Sequence, residues 1–174
     1  MTDQGARAQR FLALHDGATP LLLANAWDAG SAKILASLGF EALATTSSGH
    51  AATLGRLDGS VTRDEAVEHA AAIVAATELP VSADLENCFA DDADGVAETV
   101  RLALGAGLAG CSIEDYTGRD DDPIYPLEEA AERVAAAAQA AEHIGERLMG
   151  GSNRARLCDE SCSQPLIELL EGDS

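Results

Sequence analysis

Four short apolar runs, each closing on polar or acidic residues and each separated from the next by a helix-length segment, constrain this chain more than any other feature. They occupy residues 20–26, 42–46, 80–86 and 110–114. Runs this short, bounded by turn signals, read as buried strands. The intervening segments carry helix punctuation. Residues 6–15 form an amphipathic opening. Asp28 is placed to cap a helix over 30–38, with Gly39 as its stop. Thr62 and Glu65 have the spacing of a capping box for a helix that reaches residue 76. Asp91, Asp92 and Asp94 sit at the head of a helix over 95–104, where carboxylates complement the positive end of the dipole. Pro126 opens a long alanine-rich helix through 141. Ser47, Ser48, Gly49 and His50 read as a polar loop after the second strand.

Strands joined through helices of this length imply right-handed crossovers and a parallel sheet. Two architectures fit: an open doubly wound sheet, or part of a (β/α)8 barrel of the TIM type. A complete barrel needs about 250 residues, and 174 residues leave room for about four βα units behind a leading helix. The domain expectation is therefore a half barrel over 1–147 and an atypical tail over 148–174. That tail shows no strand where a fifth should follow, holds two of the four cysteines and nearly lacks alanine. A frameshifted or disordered segment that adds little to the core is the expectation for it.

Charge narrows the partners. A formal net charge of −19 repels phosphate backbones and anionic lipid, so neither nucleic acid nor a membrane surface is expected. No apolar run approaches the ~20 residues of a membrane span, and the first residues lack a secretory pattern. A cytoplasmic protein is expected, and its cysteines, Cys88, Cys111, Cys158 and Cys162, are expected to be free thiols. Cys158 and Cys162 have a zinc-like spacing but no second ligand pair beside them.

Functional groups of parallel α/β folds lie at the C-terminal ends of the strands. Here those ends carry Asn25 to Asp28, Thr45 to Gly49, Asp84 to Asn87 and Ser112 to Asp115. Asp84 and Glu86 are two apart and would share a strand face, with Glu114 at the matching end of the next strand. Carboxylates so placed repel unless a cation lies between them. A hard divalent ion with oxygen ligands, Mg²⁺ or Mn²⁺, resolves the repulsion. Glu86 and Asp115 also admit a plainer reading, as caps of the helices that follow. The hydroxyls and N–H groups of residues 46–49 can hold a carboxylate or phosphonate oxygen.

Four segments carry a family resemblance: LLANAWDAGS at 22–31, ATTSSGHAATLGRLDG at 44–59, VSADLEN at 81–87 and SIED at 112–115. In order and spacing they resemble the isocitrate lyase and phosphoenolpyruvate mutase family, over roughly residues 12–141. The resemblance implies the N-terminal half of a barrel that binds Mg²⁺ and a small 2-oxo or hydroxy carboxylic acid. It implies cleavage or formation of a C–C or P–C bond through an enolate-like or metaphosphate-like species. It places Asp84 on the metal, with Glu86, Glu114 and Asp58 reaching the ion directly or through water. Asp58 and Glu114 are the implied catalytic acids. Trp27, Thr46, Ser47 and Ser48 are the implied substrate contacts.

The sequence departs from that pattern after the fourth strand. The lyase branch there carries a loop with lysine and a proton-donating cysteine, and the mutase branch a lysine and an asparagine. This chain reads Tyr116-Thr117-Gly118-Arg119-Asp120-Asp121-Asp122-Pro123. Later strands, with the family's substrate-anchoring arginine, have no counterpart. A fragment or binding module without turnover is thus the alternative expectation. Four βα units also leave edge strands and apolar faces open, so a homo-oligomer is expected.

Overall fold

A computed structural model describes residues 3–16, 19–149, 153–157 and 166–171, with backbone alone for 143–149 and the last two segments. Helix α1 (Asp3–His15) leads into β1 (Ala24–Asn25), α2 (Ala29–Ser37), β2 (Leu43–Ala44), α3 (Ser47–Thr53) and α4 (Arg63–Ala76). Then follow β3 (Val81–Asp84), α5 (Ala93–Gly105), β4 (Gly110–Ser112), α6 (Leu127–Met149), β5 (Asn153–Leu157) and β6 (Leu166–Glu171). The sheet order is β1-β2-β3-β4-β6-β5. The first four strands pair in parallel, with Leu43 opposite Val81 and Asp84 opposite Ser112. The α/β architecture with four parallel strands is the one expected.

Local signals explain the helix boundaries. Asp28 accepts the Ser31 N–H while the Ser31 hydroxyl accepts the Asp28 N–H, closing a capping box on α2. Thr62 and Glu65 do the same for α4. Gly39 follows α2 at φ 91, a backbone state that costs other residues strain. Asp92, the middle carboxylate of the acidic trio, caps α5.

The core is small-residue and aliphatic. Leu43, Val81 and Ala83 from the sheet, with Leu85 and Ile113 just past the ends of β3 and β4, bury against Ile73, Val96, Val100 and Ala137 from the helices. A second cluster, Phe11 with Ala42 and Ala109, seats α1 beneath the entrances of β2 and β4. With that end of the strands closed by α1, the opposite, C-terminal ends are left to form a site. Among the described residues no helix is long and apolar enough to cross a membrane.

Four expectations need correction. The strand in the run at 20–26 is shorter and less buried than expected: Ala24 and Asn25 pair with β2, Ala26 N–H donates to the Ala44 carbonyl, and Leu22 is 72% exposed, β1 being the edge strand. Residues 47–53 are helix rather than loop, because Thr46 accepts the Gly49 N–H and starts a turn there. Helix α6 runs on to Met149, beyond residue 141. Strands do follow α6: β5 and β6 form an antiparallel pair, and β6 joins β4 antiparallel. They satisfy the open edge of β4 without continuing the parallel order of a barrel.

Candidate active site

The C-terminal ends of β2, β3 and β4 open into a polar cleft of about 960 Å³. Ser47, Asp58, Glu86 and Glu114 line it together, with Tyr116, Thr117 and Arg119 on the far wall. A much smaller recess behind it is bounded by Thr46, Ser47, His50, His69, Asp84 and Glu86. Of the residues singled out by sequence, these six acids and hydroxyls converge: Asp58, Asp84, Glu86, Glu114, Thr46 and Ser47. Trp27 and Ser48 line neither space. Trp27 is 52% exposed and lies over Gly49, and the Ser48 hydroxyl sits 3.4 Å from that of Thr46.

Asp84 ends β3 in a web of backbone bonds. Its N–H donates to the Thr45 hydroxyl at 2.9 Å, tying it to the end of β2. One carboxylate oxygen accepts the Ser47 N–H at 2.8 Å and the other accepts the Glu86 N–H at 3.1 Å. The second bond is a side chain closing on its own backbone two residues on, the local turn that aspartate favours. It also corrects the expected geometry. The strand ends at Asp84, and Glu86 takes φ 50, so these two acids meet through a turn and not through strand alternation.

Glu86 is the electrostatic focus. Burial first, then the charges of Asp58, Asp84 and Glu114, push its carboxyl up to about 7. Its carbonyl accepts the Glu114 N–H at 2.8 Å, which carries the β3–β4 pairing outward to the site. The plainer reading of Glu86 and Asp115 as helix caps does not hold. Asp92 caps α5, and the helix after Asp115 begins only at Leu127.

The loop between Glu114 and α6 is a compact excursion. Tyr116 and Ile124 bridge, Thr117 N–H donates to the Pro123 carbonyl at 2.9 Å, and Tyr125 N–H to that of Asp115 at 3.0 Å. Arg119 binds Asp91 at 3.2 Å across the cleft mouth. The Tyr125 hydroxyl donates to Asp91 at 2.6 Å, and this bond, ahead of Arg119, holds the Asp91 carboxyl below its ordinary range.

Sequence reasoning missed Arg119, Tyr125 and above all Arg133, which is 1% exposed. A signal for Arg133 was present. It falls on the Ala130, Ala137, Ala140, Ala141 stripe of α6, the face whose spacing marks it as buried. The stacked pair His50 and His69, with ring centroids 3.7 Å apart, was also missed. Cys88 and Cys111 are free, buried thiols, as expected, and burial pushes Cys111 up to about 12. Cys158 and Cys162 lie outside the described residues.

The donor set suits a hard cation. Every candidate ligand is a carboxylate oxygen, and a positive charge beside Glu86 would offset the burial and the neighbouring charges that push its carboxyl up to about 7. Among the described residues, no three His, Cys, Asp or Glu side chains stand close enough together to hold an ion as they are. The chemistry of the donors fits, and the carboxylates would have to draw in around the ion.

Parallel strands closed at one end by a leading helix, with an acidic cleft at the strand C-termini, are the arrangement of parallel α/β enzymes, (β/α)8 barrels among them. The family model for phosphoenolpyruvate phosphomutase matches residues 11–149, and the chain belongs to that family. It is similar to the 2,3-dimethylmalate lyase of Eubacterium barkeri, at 42% identity over 52% of this chain and 32% of the relative. It is similar also to the 2-methylisocitrate lyase of Escherichia coli K12, at 32% over 70% and 44%. A Burkholderia cenocepacia J2315 structure described as a lyase/mutase superposes with a TM-score of 0.78 at 52% identity, covering 80% of this chain and 50% of that one. A phosphonopyruvate hydrolase structure, in complex with oxalate and Mg²⁺, does so at 0.70 and 26%, covering 80% and 48%. The chain spans about half the length of the curated relatives it matches. Its four parallel strands are correspondingly half of a TIM-type barrel. Relatives in the family are lyases and mutases of small carboxylates.

Proposed function

We propose that this chain carries the cation- and carboxylate-binding half of a Mg²⁺-dependent lyase or mutase site. Its substrate would be a small 2-oxo or hydroxy carboxylic acid, cleaved or rearranged at a C–C or P–C bond through an enolate-like species. The observation that carries the reading is one cleft in which a partly buried Glu86 meets Glu114 from the end of β4 and Asp58 from the loop before α4, with Asp84 beside it at the end of β3. The relative that holds oxalate with Mg²⁺ supports the same pairing of metal and small carboxylate.

In this reading Asp84, Glu86 and Glu114 hold Mg²⁺ or Mn²⁺, with Asp58 reaching it from the loop before α4. The ion supplies Lewis-acid stabilisation of the oxygen on which charge accumulates. The chain's own groups do the rest. The hydroxyls of Thr46 and Ser47 orient the substrate carboxylate, with the Ser48 hydroxyl behind that of Thr46, while the Ser47 N–H stays on Asp84. Trp27 bounds that end of the site through its contact with Gly49. Asp58 and Glu114 act on protons at the cleft wall, and the excursion bearing Tyr116, Thr117 and Arg119 limits water. Residues 1–147 are the functional unit of this reading.

A second reading is binding without turnover. The residues over the cleft, Tyr116 to Pro123, include neither the lysine nor the cysteine expected of a lyase loop, and β6 runs antiparallel beside β4. Self-association belongs to either reading. Leu22, Ile34 and Leu38, 72%, 61% and 70% exposed along β1 and α2, support a homo-oligomer.

Calorimetric titration of the full chain with Mg²⁺ and then oxalate tests the proposal. Oxalate binding that requires the metal is the expected result, and binding indifferent to it would refute the site. Turnover of oxaloacetate, methylisocitrate or phosphonopyruvate, assayed in parallel, separates the two readings. The loss of a positioned charge typically costs about 10²–10³-fold in rate, so weak turnover is expected.

A further inference from the structure

The segment that carries Glu86 is strained. Glu86, Cys88 and Phe89 all adopt left-handed backbone, at φ 50, 58 and 54. Such conformations cost on the order of 1–3 kcal/mol each and persist only where the surroundings over-determine them. For a bulky aromatic such as Phe89 the state is rarer still.

Glu86 N–H on Asp84, Cys88 N–H on the Leu85 carbonyl and Phe89 N–H on Asn87 Oδ1 bond the segment locally, and one distant side chain holds its far end. Arg133, buried on α6, reaches across more than forty residues of sequence to the segment. Its two terminal nitrogens donate to the carbonyls of Asn87 at 2.6 Å, of Asp91 at 2.8 Å and of Ala90. The guanidinium plane lies 3.9 Å from the centre of the Tyr125 ring, and the Tyr125 hydroxyl accepts from Asn87 Nδ2 at 3.1 Å while donating to Asp91. From α5, the Thr99 hydroxyl donates to the Cys88 carbonyl at 2.7 Å. Gly95 allows that helix to approach, since a Cβ there would stand 2.5 Å from that of Ala90. A buried charge is costly unless it is bonded and compensated. An aliphatic side chain would fill the same core position more cheaply.

We infer that Arg133 is a positioning residue for the site, fixing the left-handed turn that aims Glu86 into the cleft beside Glu114. The inference rests on the reading above, in which Glu86 faces a bound cation. Arg133 lines neither space of the site and acts through the carbonyls of Asn87, Ala90 and Asp91 and the Tyr125 ring. A core-packing role alone would change stability and leave the affinity of a folded site for metal unchanged.

The experiment compares Mn²⁺ affinity, by calorimetry or electron paramagnetic resonance, in full-length wild type and three variants, with unfolding measured on each. Partners behind a metal ligand typically contribute about 10–100-fold in affinity. Arg133→Met should therefore weaken Mn²⁺ binding about tenfold or more and raise amide exchange at Cys88 and Phe89. Ile73→Val, a core truncation away from the segment, should lose stability and keep wild-type affinity. Tyr125→Phe retains the ring over Arg133 but loses the hydroxyl bonds, and should weaken binding to a smaller degree. It serves as the deciding variant if Arg133→Met does not fold. Wild-type affinity in a folded Arg133→Met, or in Tyr125→Phe when that variant decides, would overturn the inference. A wild type that does not bind Mn²⁺ would instead overturn the metal reading, and this inference with it.

Discussion

The carboxylate of Asp84 accepts the backbone N–H of Ser47 at 2.8 Å, joining the end of β3 to the first turn of α3 across the mouth of the site. Its other oxygen accepts the Glu86 N–H, so one side chain sets the position of both neighbours. The residue proposed as the metal ligand is thus also one that ties the end of β3 to α3 and to the turn at Glu86.

Asp84→Ala should accordingly do two things. Mg²⁺ and Mn²⁺ affinity, read by calorimetry, should fall below detection. The unfolding midpoint in urea should drop by an amount equivalent to about 1–3 kcal/mol, because two N–H groups lose a charged acceptor. Equal metal affinity in wild type and variant would exclude the assignment.

Glu86 predicts a pH dependence. Its folded value, about 7, lies above the ordinary value of 4.5. Between those pH values the folded state holds a proton that the unfolded chain has released, so metal-free stability should fall as pH rises from about 4.5 to 7. Glu86→Gln should flatten that slope in melts taken across the window. Mg²⁺ should stabilise the wild type more at pH 8 than at pH 6, since the carboxylate form is the ligand. A wild-type slope identical to that of Glu86→Gln would contradict a Glu86 carboxyl raised by burial and its acidic neighbours.

Gly49 has no room for a side chain. A Cβ there would lie 2.5 Å from Thr46 Cγ2 and 2.8 Å from the Trp27 ring. Gly49→Ala should cost about 1–3 kcal/mol and move Trp27 outward. The chain has a single tryptophan, so its fluorescence reports that movement directly. An unchanged emission maximum and midpoint would show that the contact yields without cost.

Thr62→Ala removes the hydroxyl that caps α4, whose Oγ1 accepts the Glu65 N–H at 3.4 Å. A loss of about 1 kcal/mol is expected from such a cap. Thermal melts check it, and metal affinity should remain at the wild-type level because α4 contributes no ligand.

Self-association should appear in sedimentation velocity as a concentration-dependent shift of the full chain. Charged substitution at Leu38 and Ile34 should return it to monomer, because a buried, unpaired lysine on each side would oppose the contact. A monomer at all concentrations would remove the oligomer from the proposal.

What the sequence determined by itself is what short-range physics encodes. The capping boxes at Asp28 and Thr62 link residues three apart, and the apolar runs of β2, β3 and β4 carry their own pattern. The acids Asp84, Glu86 and Glu114 were legible because strand ends of a parallel sheet converge on one side. Tertiary structure decided the rest. The polar stretch after Thr46 became helix on a local cap, but its placement against the site was decided by Asp84, 37 residues on, which accepts the Ser47 N–H. The apolar run at 20–26 stayed mostly out of the sheet because β1 pairs on one side only. The left-handed turn at Glu86 violates local preference, and long-range bonds flank it: the Glu86 carbonyl accepts the Glu114 N–H, and Arg133 bonds carbonyls 42 to 46 residues away. No local pattern encodes such a bond, because its energy exists only after the chain has closed the loop that brings the two segments together.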